Sequence, residues 1–151
     1  MDKAGFSPNH GDPRMNVFHE SRLTLRLALP LMIGQLSQML LGDFNIAPLD
    51  TDVWDISEFI GATHVSPAER QAFEAFEQIG LTDVVRERLP EGYTYWDYQQ
   101  LRFPKNEGMR IDFILGSESF AERVTSAVID RNERKGEAPS DHVPVVVDLA
   151  D

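Results

Sequence analysis

From Leu40 onward the sequence predicts a compact α/β domain, on three observations. Short apolar runs end in turn signals, as in Met39-Leu40-Leu41 before Gly42 and in Val143 to Leu149, which is how buried strands read. One helix declares both its ends, Ser66-Pro67-Ala68-Glu69 opening it and Gly80 closing it. Strand-like and helix-like segments then alternate along the chain, the order expected of an α/β layer architecture.

Composition sets the bounds. The chain has 151 residues, enough for one domain with a real core and not comfortably enough for two. It has no cysteine, which removes disulfides and thiolate metal sites and fits a cytoplasmic location. A net charge of −11 argues against simple electrostatic adhesion to nucleic acid or anionic lipid. The same charge suits a protein that gathers carboxylates around a hard divalent cation.

In chain order, residues 1–20 are rich in Gly, Pro, Asn and Asp without apolar period, and read as a disordered leader. Leu23 to Leu41 is mostly apolar, with Arg26 near one end and Pro30 and Gly34 inside. Its length approaches the roughly 20 residues of a membrane span. A kinked amphipathic helix packed on the domain explains the stretch equally well. After Asn45 comes an acidic loop carrying Asp50, Asp52 and Asp55. In the Ser66 helix, Ala72, Phe73, Phe76 and Ile79 recur at helical spacing and are expected in the core. Leu81 to Leu89 reads as a short second helical stretch stopped by Pro90. Tyr93 to Trp96 reads as a strand opened by Gly92. Asp97 to Gly108 is a polar excursion, Met109 to Leu115 a strand, Ser119 to Arg123 a short helix and Val124 to Asp130 another strand. Arg131 to Ser140 is a charged loop, and Val143 to Leu149 a final buried strand.

Four loci place polar groups at strand ends: Asp43 with Asn45, Trp96 with Asp97, Asp112, and Asp141 with His142. Period-2 geometry puts Asp43 and Asn45 on one face of their strand. An Asx-rich turn closing that strand is an equally good reading. Asp112 lies among Met109, Arg110, Ile111, Phe113, Ile114 and Leu115. A carboxylate there needs a partner, because burying it unpaired is costly. Arg110, two residues away, is the ordinary candidate. His142 is the chemically interesting one, since an Asp–His pair fixes the imidazole tautomer and raises its basicity.

Gly42-Asp43-Phe44-Asn45, Tyr95-Trp96-Asp97-Tyr98, Arg110-Ile111-Asp112 and Ser140-Asp141-His142 occur in the order and rough spacing of the exonuclease III class. The chain from about Leu40 to Leu149 therefore resembles the DNA-repair exonucleases and abasic-site endonucleases of the endonuclease/exonuclease/phosphatase superfamily. Ser66 to Arg70 and Lys105 to Gly108 are similar to that class too. The resemblance implies half of a four-layer, DNase I-like α/β sandwich and hydrolysis of DNA phosphodiesters with Mg²⁺ or Mn²⁺. It implies catalytic roles for Asp43, which orients and deprotonates water, and for Asn45, which holds the phosphate or the metal shell. Asp112 would orient His142, which would stabilise the pentacovalent phosphate, and Asp141 would bind the metal. Tyr95, Trp96, Met109 and Ile111, with Arg110, would bind substrate, lining a pocket for a flipped-out abasic sugar.

Members of that class are nearly twice as long, and their N-terminal half supplies an Asn, a metal-binding Glu and a Tyr. None of those roles carries onto Asn9, Asn16 or Glu20, which lack the strand context. Residues 22–38 instead resemble the first helix of MATE-type transporters. The expected organisation is a leader (1–20), an apolar helix, of the domain or foreign to it (21–39), and the C-terminal half of an exonuclease III-like domain (40–151), by resemblance a Mg²⁺-dependent phosphodiesterase with its N-terminal catalytic half missing, active or an inactive remnant. One half alone would expose the inner face of its sheet. Self-association, a partner supplying the other half, or cover from the apolar helix is therefore expected. DNA, as abasic sites or duplex ends, is the expected partner. Arg102, Lys105, Arg110, Arg131, Arg134 and Lys135 are expected to gather at one rim to meet it. The alternative function is a membrane-anchored or interaction protein that works through the 23–41 stretch.

Overall fold

The computed structural model describes residues 38–151. The leader and most of the 21–39 apolar stretch lie outside them. Among the described residues no helix is long and apolar enough to cross a membrane.

Strand β1 (Met39–Asp43) pairs antiparallel with the later strand over Asp112–Gly116, and so does the short β2 (Thr82–Asp83). Numbered in chain order that shared strand is β3, which makes the sheet β1-β3-β2. Strands β4 (Val124–Ile129) and β5 (Val145–Leu149) form a separate antiparallel pair. Helix α1 (Pro67–Gln78) follows the acidic loop; two shorter helices, α2 (Arg102–Lys105) and α3 (Glu118–Ala121), flank β3 in sequence.

β3 is central because both its faces are apolar, as strands covered on two sides must be. Phe113 and Leu115 point into a cluster with Phe73 and Leu81, on which Phe44 and Phe76 also pack. Ile114 points the opposite way, toward Val84, Val85, Phe120 and Val124. Gly116 ends the strand where Phe120 packs: a Cβ there would lie 2.4 Å from the Phe120 ring and 2.9 Å from Val84. Helix α1 has the start its sequence announces. The Ser66 side chain accepts from the Glu69 amide, and the Glu69 carboxylate accepts in return from the Ser66 backbone N–H. Its far end is turned by Gly80 at φ 86°.

Several elements differ from the sequence reading, among them the strand expected over Met109 to Leu115, which runs over Asp112–Gly116. The run before Gly42 is a strand but not a buried one. It forms an edge of the sheet, with Met39 and Leu41 each 56% exposed. β5 likewise buries only alternate residues, leaving Val146 and Leu149 exposed. Leu81 to Leu89 is not helical: it holds β2 and a turn. Asp83 Oδ1 accepts from the amides of Val85 and Arg86, which bends the chain while Val84 N donates to Ile114 O. Apolar residues at 81, 84, 85 and 89 imitate helical spacing, yet they serve two different clusters.

Candidate active site

β1 and β3 bring two acids face to face. Their register sets Asp43 opposite Asp112, a like-charge pairing that is unfavourable unless something cationic or proton-donating stands between. His142 does so. Its Nδ1 lies 2.8 Å from Asp112 Oδ2, and its Nε2 lies 3.9 Å from Asp43 Oδ2. The first is a hydrogen bond; the second is too long to be one. A carboxylate only accepts, so Nδ1 carries the proton and Nε2 is the nitrogen that faces Asp43.

Asn45 completes the cluster through a turn, not through strand alternation. β1 stops at Asp43, and Asn45 adopts the left-handed conformation at φ 52°. Its backbone N–H donates to Asp43 Oδ1 at 2.8 Å, and its side-chain amide donates to Asp43 Oδ2 at 2.9 Å. The turn that looked like a bland alternative is the device that aims the amide at the acid.

Segment 94–96 stitches these loci together through partners distant in the chain. Thr94, fully buried, accepts on Oγ1 from the amides of both Ile111 and Asp112, at 3.1 Å each. Its carbonyl accepts from Val143 N, while Trp96 N donates to Asp141 O. Tyr95 bridges Met109 on one side and His142 on the other, and its ring centroid lies 5.0 Å from the imidazole. Tyr93 to Trp96, expected as a strand, pairs only through the isolated bridges of Tyr95 to Met109 and to His142. Arg134 adds a tie, donating to Ser140 O and Trp96 O.

Electrostatics follow from this packing. Burial pushes the Asp112 carboxyl above the usual carboxylate range, with the Asp43 charge adding to it and hydrogen bonds from Thr94 and His142 opposing it. Burial, with the charges of Asp97, Asp141 and Asp43, also raises the Tyr95 phenol, which therefore stays protonated. Among the described residues no three His, Asp or Glu side chains are grouped to hold a metal ion.

Asp43, Asn45, Asp112 and His142 thus converge, and Asp141 adjoins them in sequence. Tyr95 and Met109 line a cleft of about 310 Å³, with Trp54, His64 and Arg102 among its other walls. Ile111 is buried behind Met109 in one cluster with Ala47 and Val53. Three expected substrate-binding residues, Ile111 among them, lie outside this cleft. Arg110 is 1% exposed, its guanidinium bound to Asp83 Oδ2 at 3.1 Å and Leu89 O at 2.7 Å. Trp96 is also 1% exposed; it lines a separate cavity with Tyr93 and Ile129 and packs edge-on against Phe103. Arg134, expected at a basic rim, is buried under Tyr98 and Phe103. An arginine between apolar residues is read equally well as surface or core until its carboxylate is located, and Asp83 stands far away in sequence.

Comparison with known proteins agrees with this geometry. The model of the Endonuclease/Exonuclease/phosphatase family matches residues 12–142, a stretch that includes residues 22–38. Exodeoxyribonuclease III of Haemophilus influenzae is 34% identical over 116 residues, covering 71% of this chain and 43% of that protein. The 3′-phosphatase NExo from Neisseria, solved with a product DNA hairpin, superposes with a TM-score of 0.74 at 34% identity. That match covers 92% of this chain and 55% of NExo. An AP endonuclease from Archaeoglobus fulgidus gives 0.70 at 30% identity, covering 77% of this chain and 46% of the other. The chain spans about half the length of the relatives it matches. It shares their DNase I-like α/β fold, and with the family model matched over most of its length, the chain belongs to the Endonuclease/Exonuclease/phosphatase family.

Proposed function

We propose that this chain carries part of a DNA-repair phosphodiesterase site of the exonuclease III and abasic-site endonuclease kind. The observation that supports it best is one imidazole held between two opposed carboxylates, bonded to Asp112 at 2.8 Å and standing 3.9 Å from Asp43. Asp43, oriented by Asn45, accepts the proton of the attacking water. The water oxygen would bond to phosphorus as the ester P–O bond breaks, the leaving oxygen taking its proton from solvent, while His142, donating from Nδ1 to Asp112, would donate from Nε2 to the phosphate oxygen on which charge develops. Asp112 would hold the ring in that orientation and balance its charge. Mg²⁺ or Mn²⁺ enters this reading through the family, as a Lewis acid at phosphate. Asp141 is the carboxylate assigned to it, with waters and phosphate oxygens able to complete the shell.

Tyr95 and Met109 form the wall on which an abasic sugar would rest. DNA is the proposed substrate, as abasic duplex or duplex ends, and the domain is read as the unit 40–151. The exposed apolar edge at Met39 to Leu41 is consistent with self-association or with a partner that supplies the remaining half. The test is cleavage of an abasic oligonucleotide duplex in Mg²⁺ or Mn²⁺ against EDTA, with size-exclusion chromatography alongside. Cleavage lost in Asp43→Asn and in His142→Ala supports the reading. Cleavage indifferent to both ends it, and none in either metal reduces the chain to an inactive remnant.

A further inference from the structure

A second imidazole meets the turn that carries Asn45, and neither the quoted motifs nor the Asp112–His142 pair account for it. His64 stands in the loop before α1, and its Nδ1 lies 2.7 Å from the backbone carbonyl oxygen of Asn45. A carbonyl can only accept, so Nδ1 donates, which fixes the tautomer. The bond is reciprocated along the backbone: the His64 carbonyl accepts from Ala47 N at 2.7 Å. Two short bonds therefore clasp residues 45–47 to residue 64.

The clasp joins two strained residues. Asn45 at φ 52° and His64 at φ 74° are both left-handed, a conformation that costs a non-glycine residue about 1–2 kcal/mol and persists only where the surroundings over-determine it. For Asn45 the surroundings can be named. Asp43 takes its N–H and its side-chain amide, and His64 takes its carbonyl. Without the His64 bond the peptide after Asn45 is free to rotate, and the amide loses its fixed bearing on Asp43. His64 is itself anchored from behind, because the Ser66–Glu69 capping box starts α1 two residues later. Its ring forms part of the cleft wall shared with Tyr95 and Met109.

We propose that His64 is a positioning residue, clamping the Asn45 carbonyl so that the Asn45 side chain stays aimed at Asp43 beside the substrate cleft. The proposal rests on reading Asp43 and Asn45 as the groups that handle water and phosphate. A histidine that merely satisfies a loop would be replaceable by anything that leaves the loop folded, and the two roles separate experimentally.

The experiment compares the full chain with His64→Asn and His64→Gly. An asparagine tolerates φ > 0 and carries a donor where Nδ1 stood, whereas glycine fits the backbone and lacks the donor. The first readout is NMR of the Asn45 side-chain amide. Its signals and slow exchange are expected in the wild type and in His64→Asn, and collapse in His64→Gly. The second is steady-state cleavage of abasic duplex. His64→Gly is expected to lose about ten- to a hundredfold in kcat with KM changed by less than about threefold, because displacement of a positioned group by an ångström acts on turnover. His64→Asn restores most of it. Equal loss in both variants, loss confined to KM, or an Asn45 amide unchanged in all three overturns the clamp. Where the wild type does not cleave, the NMR comparison decides the clamp alone.

Discussion

The Asp112–His142 pair can be weighed by a double-mutant cycle. Asp112 and His142 side chains are 18% and 30% exposed and meet at 2.8 Å. Hydrogen bonds to charged groups contribute about 1.5–3 kcal/mol when shielded, and partial exposure discounts this, so the pair should couple by about 1–2 kcal/mol. His142→Ala removes the donor and leaves a desolvated carboxylate supported by Thr94 alone. That variant is expected to lose about 1.5–3 kcal/mol. Asp112→Asn removes a charge that burial disfavours, so by itself it should be neutral or stabilising. In the Asp112→Asn background, His142→Ala should cost about 1 kcal/mol or less. Urea unfolding at neutral pH in EDTA, followed by the fluorescence of buried Trp96, gives the four free energies. Unrelated sites add within about 0.3–0.5 kcal/mol. A coupling no larger than that would refute the claim that the two side chains act as a unit, and the orientation of His142 would need another source.

The same carboxyl makes a pH prediction with a definite sign. Burial raises its folded pKa above the ordinary aspartate value, so the folded state binds the proton more readily, and stability falls as pH rises through the window between the unfolded and folded values. Unfolding measured at pH values below and above that window should show the wild type losing stability relative to Asp112→Asn; a constant difference would contradict the burial argument. Gly108→Ala should destabilise by about 1–3 kcal/mol through overpacking, since its Cβ would sit 2.5 Å from Trp96 Nε1 and 2.8 Å from Tyr93 Cβ. A melting temperature equal to wild type would show that this wall yields. Asp83→Ala should cost about 3–5 kcal/mol by leaving a buried guanidinium unpaired; urea unfolding reads it, and a loss under 1 kcal/mol would contradict the ion pair's place in the core. Residues 40–151 carry 22 acidic and 10 basic side chains, so DNA binding should be weak and salt-sensitive. By anisotropy titration, Lys105→Ala should reduce the slope of log K against log salt by about one while Arg110→Met leaves it unchanged. A slope moved by Arg110→Met would put that residue at the DNA.

What the sequence determined is local chemistry. Ser66, Glu69 and Gly80 mark both ends of α1 because caps and left-handed turns are satisfied within a few residues. The residue types at 43, 45, 112 and 142 were legible as a motif set in order, and with them the family. The contacts that make these residues a site were not legible, because each depends on segments distant in the chain. The Asp43–Asp112 opposition comes from the register of β1 on β3, and the hidden staple is Thr94, an unremarkable residue until two amides converge on its hydroxyl. Arg110 and Trp96 were assigned to the substrate because motif neighbours look alike in one dimension. Only tertiary packing decides which face of a strand meets solvent, and it turned both inward. His64 escaped notice for the same reason: a hydrogen bond to a backbone carbonyl leaves no pattern in the residues that make it. Sequence specifies which groups can react; the fold's long-range pairing specifies which of them stand within reach of one another.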